Sequence, residues 1–233
     1  VEPLFVAESM GVSFGRTSVL KSATAWAAPG RVTVIMGRNG SGKTTLFRAA
    51  LGLLPREFGV VRFDSRVYEK PRLWELSQEG LFYLPDRDAL SRRWDLDRHL
   101  RLLRRRFPAQ ARSEVPEALR VGYLMEKESW EMSGGEQRKA GMALAWVRGP
   151  TCLLADEPLA GLAPRDQEVV ADMIRTMANE GCAVIATGHD VRPLFDIADE
   201  IVWMIGGTTH GIGSSDDARA HDQFRREYLG PAH

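Results

Sequence analysis

The stretch GRNGSGKT, Gly37–Thr44, decides how the rest of the chain is read. It follows an apolar run, RVTVIM (Arg31–Met36), and precedes a segment in which Leu46, Ala49, Ala50 and Leu53 recur at helical spacing. Strand, glycine-rich loop and helix are the context that the phosphate-binding pattern G-x-x-x-x-G-K-[ST] requires. Glycines let backbone N–H groups approach phosphate oxygens, and the helix N-terminus adds the positive end of its dipole. Gly37, Asn39, Gly40, Ser41, Gly42, Lys43, Thr44 and Thr45 form the expected cradle. Lys43 is placed to reach the β- and γ-phosphates, and the Thr44 hydroxyl to ligate Mg²⁺. The bland alternative is a glycine turn that binds nothing, which the four fixed positions and their setting disfavour.

Outward from this loop, short apolar runs alternate with helix-like segments: TCLLA (Thr151–Ala155), CAVIAT (Cys182–Thr187) and EIVWMI (Glu200–Ile205). The alternation predicts a layered α/β core. Before Arg31 the chain reads as extended, with Met10, Val12 and Phe14 alternating on one face. Between about Arg87 and Gly149 the strand signal stops. LDRHLRLLRRRF there carries Leu96, Leu100, Leu103 and Phe107 on one helical face, so a helical subdomain is expected to interrupt the sheet. The predicted organisation is a single 1–233 domain. Residues 1–86 and 149–210 form the α/β core, 87–148 the helical subdomain and 211–233 a polar helical tail.

Composition narrows the class. With 233 residues, 44% of them hydrophobic, the chain can bury a sizeable core. A formal net charge of +0 gives no pull toward nucleic acid, which is not expected as a partner. Cys152 and Cys182 sit beside apolar runs without metal or redox spacing and read as packed thiols in a reducing compartment. No run approaches the roughly 18 apolar residues of a membrane span, so a soluble protein is expected, with any membrane role supplied by a partner.

CLLADEP ends its apolar run in two acids. Behind a phosphate loop, Asp156 is suited to hold the metal and Glu157 to polarise an attacking water. MSGGE (Met132–Glu136), lying between these two elements, places a serine and two glycines at a helix start, a second ready anion site without a lysine of its own.

MSGGE resembles the signature of the ATP-binding-cassette (ABC) ATPases, usually LSGGQ, with Met132 and Glu136 as departures. The likeness extends from about Val6 to the tail. It implies an α/β phosphate-loop core of the ABC type, with an N-terminal antiparallel β region and the inserted helical subdomain. It also implies ATP and Mg²⁺ as ligands, and hydrolysis coupled to transport. Two subunits, identical or not, would sandwich each ATP between the phosphate loop of one and Ser133, Gly134 and Gly135 of the other. An integral-membrane subunit would be driven by that closure, with the chain peripheral on the cytoplasmic face of the inner membrane. His189 matches the switch histidine, and Lys43, Glu157 and His189 become the expected catalytic set. Phe14 matches the aromatic that stacks on adenine, although core packing on the Met10 and Val12 face is an alternative.

Two positions depart from the family pattern. In YLPDRD, Asp86 replaces a glutamine that contacts the metal or the water, giving Thr44, Asp156 and Asp86 as the expected metal set. In PLAGLAP, Ala163 stands where an aspartate normally reaches across the dimer. A nucleotide-responsive subunit without useful turnover is therefore one alternative, and a soluble cassette acting on nucleic acid another. Arg101, Arg104, Arg105 and Arg106 read first as a solvated helix face, and otherwise as part of a docking groove with Leu90 and Trp94. Trp26, Trp146 and Trp203 are expected in the core. The compact length, DEPLAGLAP and a tail ending EYLG look most like the lipopolysaccharide-export and branched-chain amino-acid-import ATPases.

Overall fold

The computed structural model describes residues 2–189 and 192–228. The N-terminal part contains β1 (Phe5–Phe14), β2 (Thr17–Ala27), β3 (Val32–Met36), α1 (Lys43–Ala50), β4 (Phe58–Phe63), β5 (Arg66–Tyr68), α2 (Leu73–Gln78) and β6 (Leu81–Leu84). Two longer helices follow, α3 (Leu96–Arg106) and α4 (Gly134–Arg148), separated by short 3₁₀ turns. The chain then runs through β7 (Cys152–Ala155), α5 (Pro164–Asn179), β8 (Ala183–Gly188), α6 (Arg192–Asp196), β9 (Glu200–Ile205) and β10 (Thr208–Gly213). It closes with α7 (Ser215–Ala220) and α8 (Asp222–Tyr228).

All five residues of β3 are buried, as expected of a strand covered on both faces. β3 pairs in parallel with β8 on one side and β9 on the other, and the parallel run continues through β7 to β6. Consequently the carboxyl ends of β3, β6, β7 and β8 share one edge, where ligands of open parallel sheets bind. The antiparallel strands β5, β4, β1 and β2 extend the sheet in that order, joined to the parallel part by β10. Side-chain alternation along β3 feeds two cores. Val34 and Met36 pack with α4, α5 and the helical segment, while Ile35 joins Leu46 and Phe47 of α1 and Phe5 and Met10 of β1.

The main expectations hold: an α/β core, an N-terminal antiparallel region, and no strand between β6 and β7 among the described residues. Three details differ. Leu53 is 43% exposed because α1 ends at Ala50. Gly52 (φ 70) turns the chain there, with Leu53 N–H donating to Arg48 O at 2.8 Å and Gly52 N–H to Ala49 O at 3.2 Å, a glycine stop of the Schellman type. Any side chain at 52 would meet Pro71 O at 1.9 Å.

Phe14 departs from the Met10 and Val12 face. Register shifts along β1 rotate its end outward, leaving Phe14 52% exposed. Finally, the boundary drawn at 210 falls inside β10, and the tail is anchored, with Ala218 and Phe224 in the core. Leu229 and Gly230 of the EYLG ending lie outside the described residues. Trp203 is buried, Trp26 and Trp146 half-buried. Burial raises both thiols, Cys182 to about 12 and Cys152 well above its ordinary value, which fits packed, unreactive side chains.

Candidate nucleotide site

The loop after β3 reaches α1 through Gly40 (φ 82) and Gly42 (φ 109), left-handed positions that favour glycine. At Gly42 there is also no room, since a Cβ would lie 2.8 Å from Leu20 Cδ2. Lys43 is only 5% exposed, and its ammonium folds back under the loop, donating to Gly37 O at 2.7 Å and Arg38 O at 3.4 Å. It also pairs with Glu157 Oε1 at 3.2 Å. On the other side, His189 Nδ1 lies 2.8 Å from Glu157 Oε2. Lys43, Glu157 and His189, from the ends of three parallel strands, thus form one line of contacts.

Glu157 adopts φ 51, a left-handed conformation unusual for a side-chain-bearing residue and worth about 1–3 kcal/mol of strain. Its N–H donates to Thr187 Oγ1 at 2.8 Å, and the Thr187 hydroxyl donates to Asp156 Oδ1 at 2.8 Å. Asp156 is 1% exposed, and Tyr83 Oη approaches its Oδ2 at 3.5 Å. Burial pushes the Asp156 carboxyl above its ordinary range, opposed by hydroxyls of Thr44 and Thr187, with Glu157 and Asp86 adding to the rise. The same burial raises Tyr83. A carboxylate buried among hydroxyls and other carboxylates is the environment that a cation relieves.

Lys43, Glu157 and His189 line a cavity of about 430 Å³ together with Asn39, Gly40, Gly42, Thr44 and Thr45, a volume suited to a small-molecule ligand. Asp86, Arg87 and Arg138 complete one wall. Gly37 is packed beneath, where a Cβ would meet Ser41 Oγ at 2.5 Å. Among the described residues, the buried Ser41 Oγ has no hydrogen-bond partner. Phe14 is not among the lining residues, and neither are Ser133, Gly134 and Gly135.

The sequence family described as "ABC transporter" matches residues 20–160, more than half of the chain. The chain belongs to the ABC transporter family. It is an ATP-binding ATPase of that family. It is 30% identical to the zinc import ATP-binding protein ZnuC of Halorhodospira halophila, over 99% of this chain and 86% of that protein. It is 26% identical to the lipopolysaccharide export system ATP-binding protein LptB of Haemophilus influenzae, over 97% of both. A crystal structure of a nucleotide-free ATP-binding cassette from an ABC transporter superposes with a TM-score of 0.80, covering 97% of each chain at 19% identity, a likeness of fold.

In this ABC cassette the signature serine serves its own helix first. Ser133 is the N-cap of α4, accepting from Glu136 N–H at 3.3 Å, while Glu136 Oε2 accepts from Ser133 N–H at 2.7 Å. This is a capping box, and it needs an acid or amide at the fourth position. Glu136 is further held by Lys127 at 3.1 Å, and these contacts, led by the Ser133 backbone bond, lower its carboxyl to about 2. The glycines have no such internal reason. Neither Gly134 nor Gly135 has positive φ; a Cβ at Gly134 would meet nothing within 4 Å, and one at Gly135 only ordinary contacts at 3.6 Å and beyond. Their lack of side chains leaves the helix start bare, with Gly134 exposed and Gly135 half-buried.

The cassette's Ala163 has a cost that the sequence pattern did not signal. It is the N-cap of α5 and offers no side-chain acceptor, followed by Pro164 at the first helical position. Ala163→Asp is therefore expected to stabilise the monomer by about 0.5–2 kcal/mol, raising the melting temperature by roughly 2–4 °C per kcal/mol. A calorimetric scan of the nucleotide-free variant checks this, and an unchanged or lower transition contradicts the capping assignment. Three lining or bracing residues, Thr187, Tyr83 and Arg138, escaped the sequence reading. Only Thr187, a polar residue ending an apolar strand, carried a signal.

Proposed function

We propose that the chain is the ATP-hydrolysing subunit of a transporter, closing as a dimer on two ATP–Mg²⁺ and driving a separate membrane subunit from the cytoplasmic face of the inner membrane. The observation that carries this reading is the line Lys43–Glu157–His189 across one strand edge, with Asp156 buried below it. Lys43 pairs with Glu157 Oε1 at 3.2 Å. Phosphate oxygens compete for the same ammonium, so nucleotide entry frees the Glu157 carboxylate to accept a proton from water oriented with His189.

Mg²⁺ fits the residues present. Thr44 and Asp156 supply one hydroxyl and one carboxylate, and the described residues contain no cluster of three or more His, Cys, Asp or Glu able to hold a metal by themselves. That donor set suits an ion shared with substrate phosphates. When bound, it would neutralise charge developing on the β- and γ-phosphate oxygens. Asp86, the third expected oxygen ligand, has Oδ1 engaged at 2.7 Å by Arg138.

The dimer is supported by Ser133, Gly134 and Gly135 lying off the chain's own nucleotide cavity, at the start of a helix whose first residues, Ser133 and Gly134, are exposed. A membrane subunit is supported by the relatives, which are named as ATP-binding proteins of import and export systems. In addition, no helix among the described residues is long and apolar enough to cross a membrane. Steady-state phosphate release by the purified chain tests the enzymatic part. Saturable turnover with ATP–Mg²⁺ that stops on chelation with EDTA is expected. Tight ATP binding without turnover would instead favour a nucleotide-responsive regulatory subunit.

A further inference from the structure

Arg138, on the second turn of α4, spends its guanidinium on the core. Nη1 donates to Asp86 O at 2.9 Å and Nη2 to Asp86 Oδ1 at 2.7 Å, while Nε donates to Ala160 O. One side chain of the signature helix thereby ties the segment after β6 to the loop between β7 and α5. Its neighbour Lys139 adds a second tie, to Asp166 of α5 at 3.3 Å. Arg138 is 19% exposed and stands between two concavities, lining both the nucleotide cavity and an adjoining groove of about 350 Å³. The wall it braces carries two carboxylates, Asp86 and Glu157, against the single ammonium of Lys43, with Arg87 reaching Asp86 only at 3.6 Å.

We propose that Arg138 is a positioning residue for nucleotide binding, whose task is to neutralise Asp86 and clamp it away from the incoming phosphates. The proposal rests on the ATPase reading. An uncharged amide at 86 would need no such counter-charge. A carboxylate there, left unpaired, repels a triphosphate. A charge-assisted forked contact both cancels that repulsion and fixes where the carboxylate sits. Asp86 then acts as the anchor of a clamp between the signature helix and the core.

The test is calorimetric titration of ATP, with and without Mg²⁺, into the full chain and its variants, with circular dichroism to check the fold. Arg138→Met is expected to weaken ATP binding by about tenfold or more, since it leaves the Asp86 carboxylate beside the ligand with only the longer Arg87 contact. Adding Asp86→Asn in the same chain is expected to restore affinity to within a few-fold of the parent. Arg138→Lys, which keeps the charge and loses the fork, should fall between. A purely structural brace would not be rescued by removing its partner's charge. Failure of the double variant to recover overturns the proposal, as does a loss on Asp86→Asn alone that appears only with Mg²⁺, which would make Asp86 a metal ligand. Absence of ATP binding by the parent would overturn the ATPase reading and the proposal with it.

Discussion

Glu157→Gln is expected to lower steady-state ATP hydrolysis by about 100- to 10 000-fold, the range for losing a general base, while leaving the fold intact. The backbone contact of Glu157 to Thr187 does not involve its carboxylate, and glutamine fills nearly the same volume. The side chain's partners are His189, at 2.8 Å, and Lys43, at 3.2 Å. Removing the carboxylate therefore also removes a competitor for the ammonium that phosphates need, and ATP affinity is expected to hold or rise as turnover falls. Phosphate release and a binding titration on the same sample separate the two effects. Weakened ATP binding would mean that Glu157 positions Lys43 for the nucleotide instead of competing with it.

Gly134→Asp is expected to be nearly silent in the monomer and severe in hydrolysis. Position 134 is exposed, and a Cβ there has open space within 4 Å. An aspartate in the first turn of α4 also complements the helix dipole, worth about 0.3–1 kcal/mol, so thermal stability should be unchanged or slightly higher. In a closed dimer, however, the same carboxylate would face another chain's γ-phosphate and displace the amides meant for it. Loss of such donors costs about 100- to 1000-fold. A stable variant with parental turnover would show that this helix end meets no nucleotide.

The strand edge was legible because two chemical patterns, GRNGSGKT and CLLADEP, each followed an apolar run, and parallel pairing of β3 and β7 with β8 brings their ends together. His189 needed the family resemblance, since a lone histidine after a strand has no pattern of its own. Arg138 was hidden because its role comes from tertiary placement: nothing along α4 marks it off from Lys139, and only the approach of Asp86 gives it a charged partner. Phe14 shows the opposite limit. Alternation put it with Met10 and Val12, but irregular register in β1 broke the period that the inference relied on. Asp86 was legible as a departure, yet its consequence depended on which cation stood opposite it.

The most direct measurement is the solution mass of Glu157→Gln protein, by light scattering after size exclusion, with and without ATP–Mg²⁺. A shift from the monomer of 26.0 kDa to twice that mass on adding ATP–Mg²⁺, abolished by Gly134→Asp in the same chain, is the expected result. A chain that binds ATP but remains monomeric, or that dimerises equally well with Gly134→Asp, would contradict the claim that the signature helix of one copy completes the nucleotide site of the other.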